Sequence, residues 1–215
     1  PAIRLSGVGN IVANNKINNA PHSAIIFEGN DHIIEYNEIF DVLKNATDTG
    51  AIYAGRSHTM WGNMIRNNYF HHIETNVDNG SNSGHARLVH GIYLDDTISG
   101  IEVTGNIFYK VKEALVASGS DIVFSNNIII ESKSAVWWKS RNDEHIEYGE
   151  YESAEQRLNR IRKNNTIAED LKAMPYNSPI WRQSYPNLVT SIEKTYGPQR
   201  CIIENNVLIN TPNAD

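Results

Sequence analysis

Carboxylates stand beside aromatic residues in a short segment that recurs along this chain, and that pairing suits carbohydrate chemistry. Flat rings stack on the C–H faces of sugars, while carboxylates accept hydroxyl hydrogens or transfer protons. The segments are Ala24-Ile-Ile-Phe-Glu-Gly29, Ala51-Ile-Tyr-Ala-Gly-Arg56, Gly91-Ile-Tyr-Leu-Asp-Asp96, Ala114-Leu-Val-Ala-Ser-Gly119 and Ala135-Val-Trp-Trp-Lys-Ser140. Strand alternation puts Ile25 and Phe27, Ile52 and Ala54, Ile92 and Leu94, Leu115 and Ala117, and Val136 and Trp138 inward. The outward positions then form two columns: Ile26, Tyr53, Tyr93, Val116 and Trp137, and beside them Glu28, Gly55, Asp95, Ser118 and Lys139.

Glu28 and Asp95 are two segments apart, which at the inter-strand spacing is roughly 9.6 Å between backbones. Gly55, between them, is expected to leave an open gap. Carboxyl separations of about 6.5–9.5 Å suit inversion at a glycosidic carbon, and about 5 Å suits retention. Asp48 precedes the second segment, and His90 immediately precedes the one carrying Asp95. Both are expected to face the same groove, with Tyr53, Arg56, Tyr93, Asp96, Trp137 and Lys139 as further candidates for substrate contact. Arg56 and Asp96 also suit a simple ion pair between neighbouring segments. His71 and His72 alternate faces in an extended stretch, no second cluster has ligand spacing, and the glycines make no phosphate loop, so no metal or other cofactor is expected.

The element that positions these residues is a repeat. Six motifs carry asparagine at their second position: Asn14-Asn-Lys-Ile17, Tyr36-Asn-Glu-Ile39, Asn67-Asn-Tyr-Phe70, Gly105-Asn-Ile-Phe108, Asn126-Asn-Ile-Ile129 and Asn205-Asn-Val-Leu208. The asparagines Asn15, Asn37, Asn68, Asn106, Asn127 and Asn206 are separated by 22, 31, 38, 21 and 79 residues, a base period of 21 or 22 with insertions. A third short strand precedes each motif, as in His32-Ile-Ile-Glu35 and Asp121-Ile-Val-Phe124. Three short strands per period, without leucines at fixed offsets, predict an all-β fold: a right-handed parallel β-helix of about six coils. Its asparagines would pair amide to amide in a ladder.

The chain is expected to be one β-helix domain over 1–215, interrupted by a partly helical insertion near 141–199. The expected helical spacing runs through Leu158, Ile161 and Leu171, before Pro175, Pro179 and Pro186 break the chain into turns. Both ends fall inside the repeat pattern, so upstream coils of the same protein are an expected partner. A net charge of −6 disfavours nucleic acid, and no apolar run is long enough to span a bilayer as a helix. Single Cys201 allows no internal disulfide and suits a small buried side chain.

Three stretches together carry a family resemblance: Asp48-Thr-Gly-Ala-Ile-Tyr-Ala-Gly-Arg56, Gly62-Asn-Met-Ile-Arg-Asn-Asn-Tyr-Phe-His71, and Gly91-Ile-Tyr-Leu-Asp-Asp96 followed by Gly105-Asn-Ile-Phe-Tyr109. With Ser178-Pro-Ile-Trp-Arg-Gln-Ser-Tyr-Pro-Asn-Leu188, they resemble secreted bacterial β-helix proteins of polysaccharide utilisation, closest to glycoside hydrolase family 141. The resemblance implies O-glycosyl hydrolysis of the α-L-fucosidase or xylanase kind. It also implies a polysaccharide partner, a secreted, periplasmic or cell-surface location, and a catalytic pair matching Asp48 and Asp95 in place of Glu28 and Asp95. Two alternatives stand beside it: a polysaccharide lyase using Arg56 or Lys139, and a non-catalytic carbohydrate-binding or structural β-helix.

Overall fold

The computed structural model describes residues 1–76, 88–139, 173–189 and 198–211. Among these residues, eighteen strands fall into three parallel six-stranded sheets. The first sheet has the order β1 (Ile3–Leu5), β4 (Ile25–Phe27), β7 (Thr49–Gly55), β10 (Val89–Asp95), β13 (Glu113–Ala117), β16 (Ser134–Trp138). The second runs β2 (Ile11–Ala13), β5 (Ile33–Glu35), β8 (Met64–Arg66), β11 (Glu102–Thr104), β14 (Val123–Ser125), β17 (Ile202–Glu204). The third runs β3 (Lys16–Asn18), β6 (Glu38–Phe40), β9 (Tyr69–Ile73), β12 (Ile107–Val111), β15 (Ile128–Ile130), β18 (Val207–Ile209). Each coil gives one strand to each sheet, and each strand pairs with its equivalent in the next coil. The fold is a parallel β-helix, as the repeat predicts.

The registers confirm the inward positions. Ile25 pairs with Ile52, Ile92 with Leu115, and Leu115 with Val136. On the other sheets Ile34, Ile65, Val103 and Phe124, and Ile39, Phe70, Phe108 and Ile129, are buried in the same core. Equivalent side chains stack one per coil: the Phe70 and Phe108 rings are parallel with centroids 4.8 Å apart, matching the strand spacing. Burial of such a side chain stabilises by about 1.5–3 kcal/mol, the same contribution being renewed at each coil.

The asparagine motifs turn the corner between the second and third sheets. Their first residues, Asn14, Tyr36, Asn67, Gly105, Asn126 and Asn205, all have φ between 54° and 67°, where asparagine and glycine are tolerated best. The second residues form the expected ladder. Asn37 donates its amide hydrogens to Asn68 Oδ1 and to the Val12 carbonyl, and Asn68 repeats this with Asn106 and Ile34. Asn106 and Asn127 continue the ladder to Asn206. A second, shorter ladder precedes it, in which His32 occupies a rung. The Asn10 amide donates to His32 Nδ1, and the His32 amide donates to Asn63 Oδ1.

Part of the insertion lies among the described residues, where α1 (Pro179–Ser184) follows Ser178. The helical spacing through Leu158, Ile161 and Leu171 lies outside the described residues, as does most of the loop between Glu74 and Val89. Cys201 is half-buried rather than buried, its thiol pushed up chiefly by the burial it does have.

Candidate functional site: a concave outer corner on the first sheet

Strands of the first sheet bend where the motif begins. In the β7–β10 register Gly50 pairs with His90 and Ile52 with Ile92, and the intervening Ala51 and Gly91 do not pair. A Cβ at Gly91 would meet the core ring of Phe108, so Gly91 faces inward like Ile92 after it. Two successive inward residues break the alternation. As a result His90 and Tyr93, three apart, turn to the same outer side with ring centroids 5.3 Å apart. His90 and Tyr93 therefore stand together on the outer side at this corner. A Cβ at Gly50 would meet the Ile52 carbonyl at 2.6 Å and the Tyr93 amide at 2.7 Å, so this position needs glycine to let the wall fold in.

The corner gathers most of the residues that sequence singles out, in a different arrangement from the expected open strip. Tyr93, placed on the outer column, is fully buried, as is His90. Neighbouring side chains cover them: the Tyr53 ring meets Tyr93 edge-on at 5.6 Å, Trp137 lies 6.3 Å from His90, and Lys139 Nζ sits 4.4 Å above the Tyr93 ring. Lys139 also donates to the Tyr93 hydroxyl at 2.6 Å. The gap expected beside Gly55 is filled. Because Gly55 lacks a side chain, the Tyr53 hydroxyl lies 2.8 Å from where its Cβ would stand and donates to Asp95 Oδ2 at 3.3 Å. Burial, then the Asp95 charge, pushes the Tyr53 phenol well up.

Asp95 is about nine-tenths buried, and its Oδ1 has no hydrogen-bond partner. His90 is in the same state on the other side of Tyr93: Nδ1 lies 2.8 Å from Glu113 Oε2, while Nε2 is buried and unpartnered. Thr97 Oγ1, just beyond the strand, is the third such atom. Each buried unpaired polar atom costs about 1–3 kcal/mol, so three within one stretch of nine residues, Val89 to Thr97, call for a ligand or ordered water.

The other candidates are placed less closely. Asp48 is exposed immediately before β7, and its charge still reaches the Tyr53 phenol, behind those of Asp95 and Asp96. Glu28 lies just beyond the end of β4, after its pairing with β7 stops at Ile26 and Tyr53, and is exposed and drawn away, pairing at 3.1 Å with Arg4 of the preceding coil. Arg56 and Asp96 form the expected inter-coil ion pair at 3.6 Å. Sequence reading missed Glu113. It aligns with His90 one residue before the motif, a signal visible once the columns are extended upstream through Ser23, Gly50, His90, Glu113 and Ser134.

Two other features lie apart from this corner. His71 and His72 do not alternate faces: a φ of 49° at His72 brings their Nδ1 atoms to 2.9 Å. Among the described residues no three His, Cys, Asp or Glu side chains gather as a metal site, and no helix is long and apolar enough to cross a membrane. On the second sheet, a cleft of about 440 Å³ lies between Met64, Glu102, Val123 and Ile202 and the Tyr185-Pro186-Asn187 turn after α1. Tyr185 closes one side by donating to Asp31 at 2.7 Å. No family model, curated protein or solved structure matches the chain.

Proposed function

We propose that the outer corner binds a polysaccharide and hydrolyses a glycosidic bond. Asp95 is one acting carboxylate and Asp48 its partner. The observation that carries this reading is Asp95 itself, a buried carboxylate with one oxygen held by Tyr53 and the other unsatisfied. Beside it stand the rings of Tyr53 and Tyr93, with Trp137 41% exposed at the rim. One carboxyl group protonates the leaving oxygen, and the other activates water or attacks the anomeric carbon, so that water is added across the C–O bond. Asp48 is preferred to Glu28 because its charge acts on the same phenol as Asp95, whereas Glu28 is turned towards Arg4. Arg56, Asp96, Trp137 and Lys139 supply rim contacts to the sugar. Catalysis on a polysaccharide implies a secreted, periplasmic or cell-surface setting.

The hydrogen bond from Lys139 to Tyr93 favours a second reading, a lyase that removes the proton alpha to a uronate carboxyl group and eliminates the glycosidic oxygen. Products separate the two. Incubation with neutral and uronate-containing polysaccharides is expected to release reducing ends without a new carbon–carbon double bond. Ultraviolet absorbance from an unsaturated product would assign elimination instead. Binding with no product from any polysaccharide would leave a carbohydrate-binding module.

A further inference from the structure

The buried pair behind Tyr93 has a defined polarity. A carboxylate only accepts hydrogen bonds, so the 2.8 Å contact between Glu113 Oε2 and His90 Nδ1 requires the proton on Nδ1. Burial holds the imidazole neutral, its pKa lowered against the opposing pull of Glu113. Nε2 is then a lone pair, and it is buried with no donor facing it. Asp95 Oδ1, on the same outer side of β10, is likewise an acceptor with no donor.

We infer that Glu113 fixes His90 in the tautomer whose Nε2 accepts a hydroxyl group of the bound sugar, leaving Asp95 Oδ1 for the chemistry proposed above. This rests on the reading of the corner as a glycan site and adds a specific contact to it. Glu113 is a positioning residue, acting through the imidazole. Its other oxygen lies 3.9 Å from Lys133 Nζ, which anchors the carboxylate from the coil edge. Nε2 is fully enclosed, so binding requires a neighbouring side chain to move; Trp137, 41% exposed and 6.3 Å from the His90 ring, borders it.

The test uses the full chain labelled with ¹⁵N-histidine, His90 being assigned by its absence in His90→Gln. Neutral xylo-oligosaccharides and acidic oligogalacturonates serve as probes. The expected spectrum at neutral pH is that of a neutral ring protonated on Nδ1, whose Nε2 resonance moves when one of the probes binds. Glu113→Leu is expected to shift the ring towards the Nε2-protonated tautomer and weaken binding about tenfold, the loss of one hydrogen bond. Glu113→Gln, whose amide oxygen still accepts from Nδ1, retains both the tautomer and most of the affinity. The wild-type spectrum decides the matter even where Glu113→Leu does not fold. A proton on Nε2 in the wild type, or an Nε2 resonance that neither probe moves, overturns the inference. A chain that binds through Nε2 without cleaving keeps this inference and removes the hydrolase reading; cleavage with an unmoved Nε2 does the reverse.

Discussion

At the scale of single residues, burial separates the side chains that sequence can rank from those it cannot. Alternation along the strand is enough to place Asp95 outward, because the column it belongs to is set by period two. The same rule places Tyr93 outward, yet Tyr93 is covered by Tyr53 and Lys139, contacts between coils that no single strand encodes. The covered His90 has a consequence for pH. Burial lowers its pKa below 6.5, with Lys139 and Lys112 adding to the shift and Glu113 opposing it. The unfolded chain therefore binds a proton at this ring at a pH where the folded chain does not. Stability present above about 6.5 is lost as pH falls from there towards the folded value. Melting temperatures between pH 8 and 5, on the order of one unit apart, are expected to fall more steeply for the wild type than for His90→Gln. Equal slopes would show that His90 is not held neutral by the fold.

At the scale of elements, what was legible depended on whether a feature repeats. The asparagine ladder recurs in every coil and needs one side chain in one role, so its spacing predicted the period and the pairing, and the segments between the asparagines the strands. The second ladder is irregular, with His32 standing where Asn63 stands in the next coil, and it left no periodic signal. The corner in β7 and β10 was hidden for another reason. Ala51 and Gly91 look like ordinary small strand residues, and only the skipped pair in the register shows that the chain bends there. Buried rungs carry more than exposed ones. Asn106 is fully buried and joins Asn68 to Asn127, whereas Asn15 is exposed at the edge of the ladder. Asn106→Ala is expected to cost about 1–3 kcal/mol in chemical denaturation, through the carbonyl and amide groups left unpaired. Asn15→Ala is expected to cost less than about 1 kcal/mol. Equal effects would remove the ladder as a source of stability.

At the scale of the whole molecule, the stack is a scaffold whose coils differ mainly in what they present outward. Its core is continuous from Val12 to Ile129, while Ile203 and Leu208, the equivalent inward residues of the last coil, remain 53% and 43% exposed. The corner lies on strands paired on both sides: Tyr53, His90, Tyr93, Asp95 and Glu113 all sit on β7, β10 and β13. Strands paired on both sides hold these unsatisfied acceptors in place. The fold was readable from the period, and the register of Asp95 beside Gly55 from its column. The arrangement of the site was not, because it depends on a bend, on a ring lying over Gly55 and on one acid outside the motif. The most direct test of the account is the rate of polysaccharide hydrolysis per folded molecule in Asp95→Asn, measured with its melting temperature. Amide replaces carboxylate with little change of shape, so the account predicts a rate lower by a factor on the order of 10³ or more with the fold intact. A rate near that of the wild type in a folded Asp95→Asn protein would contradict it.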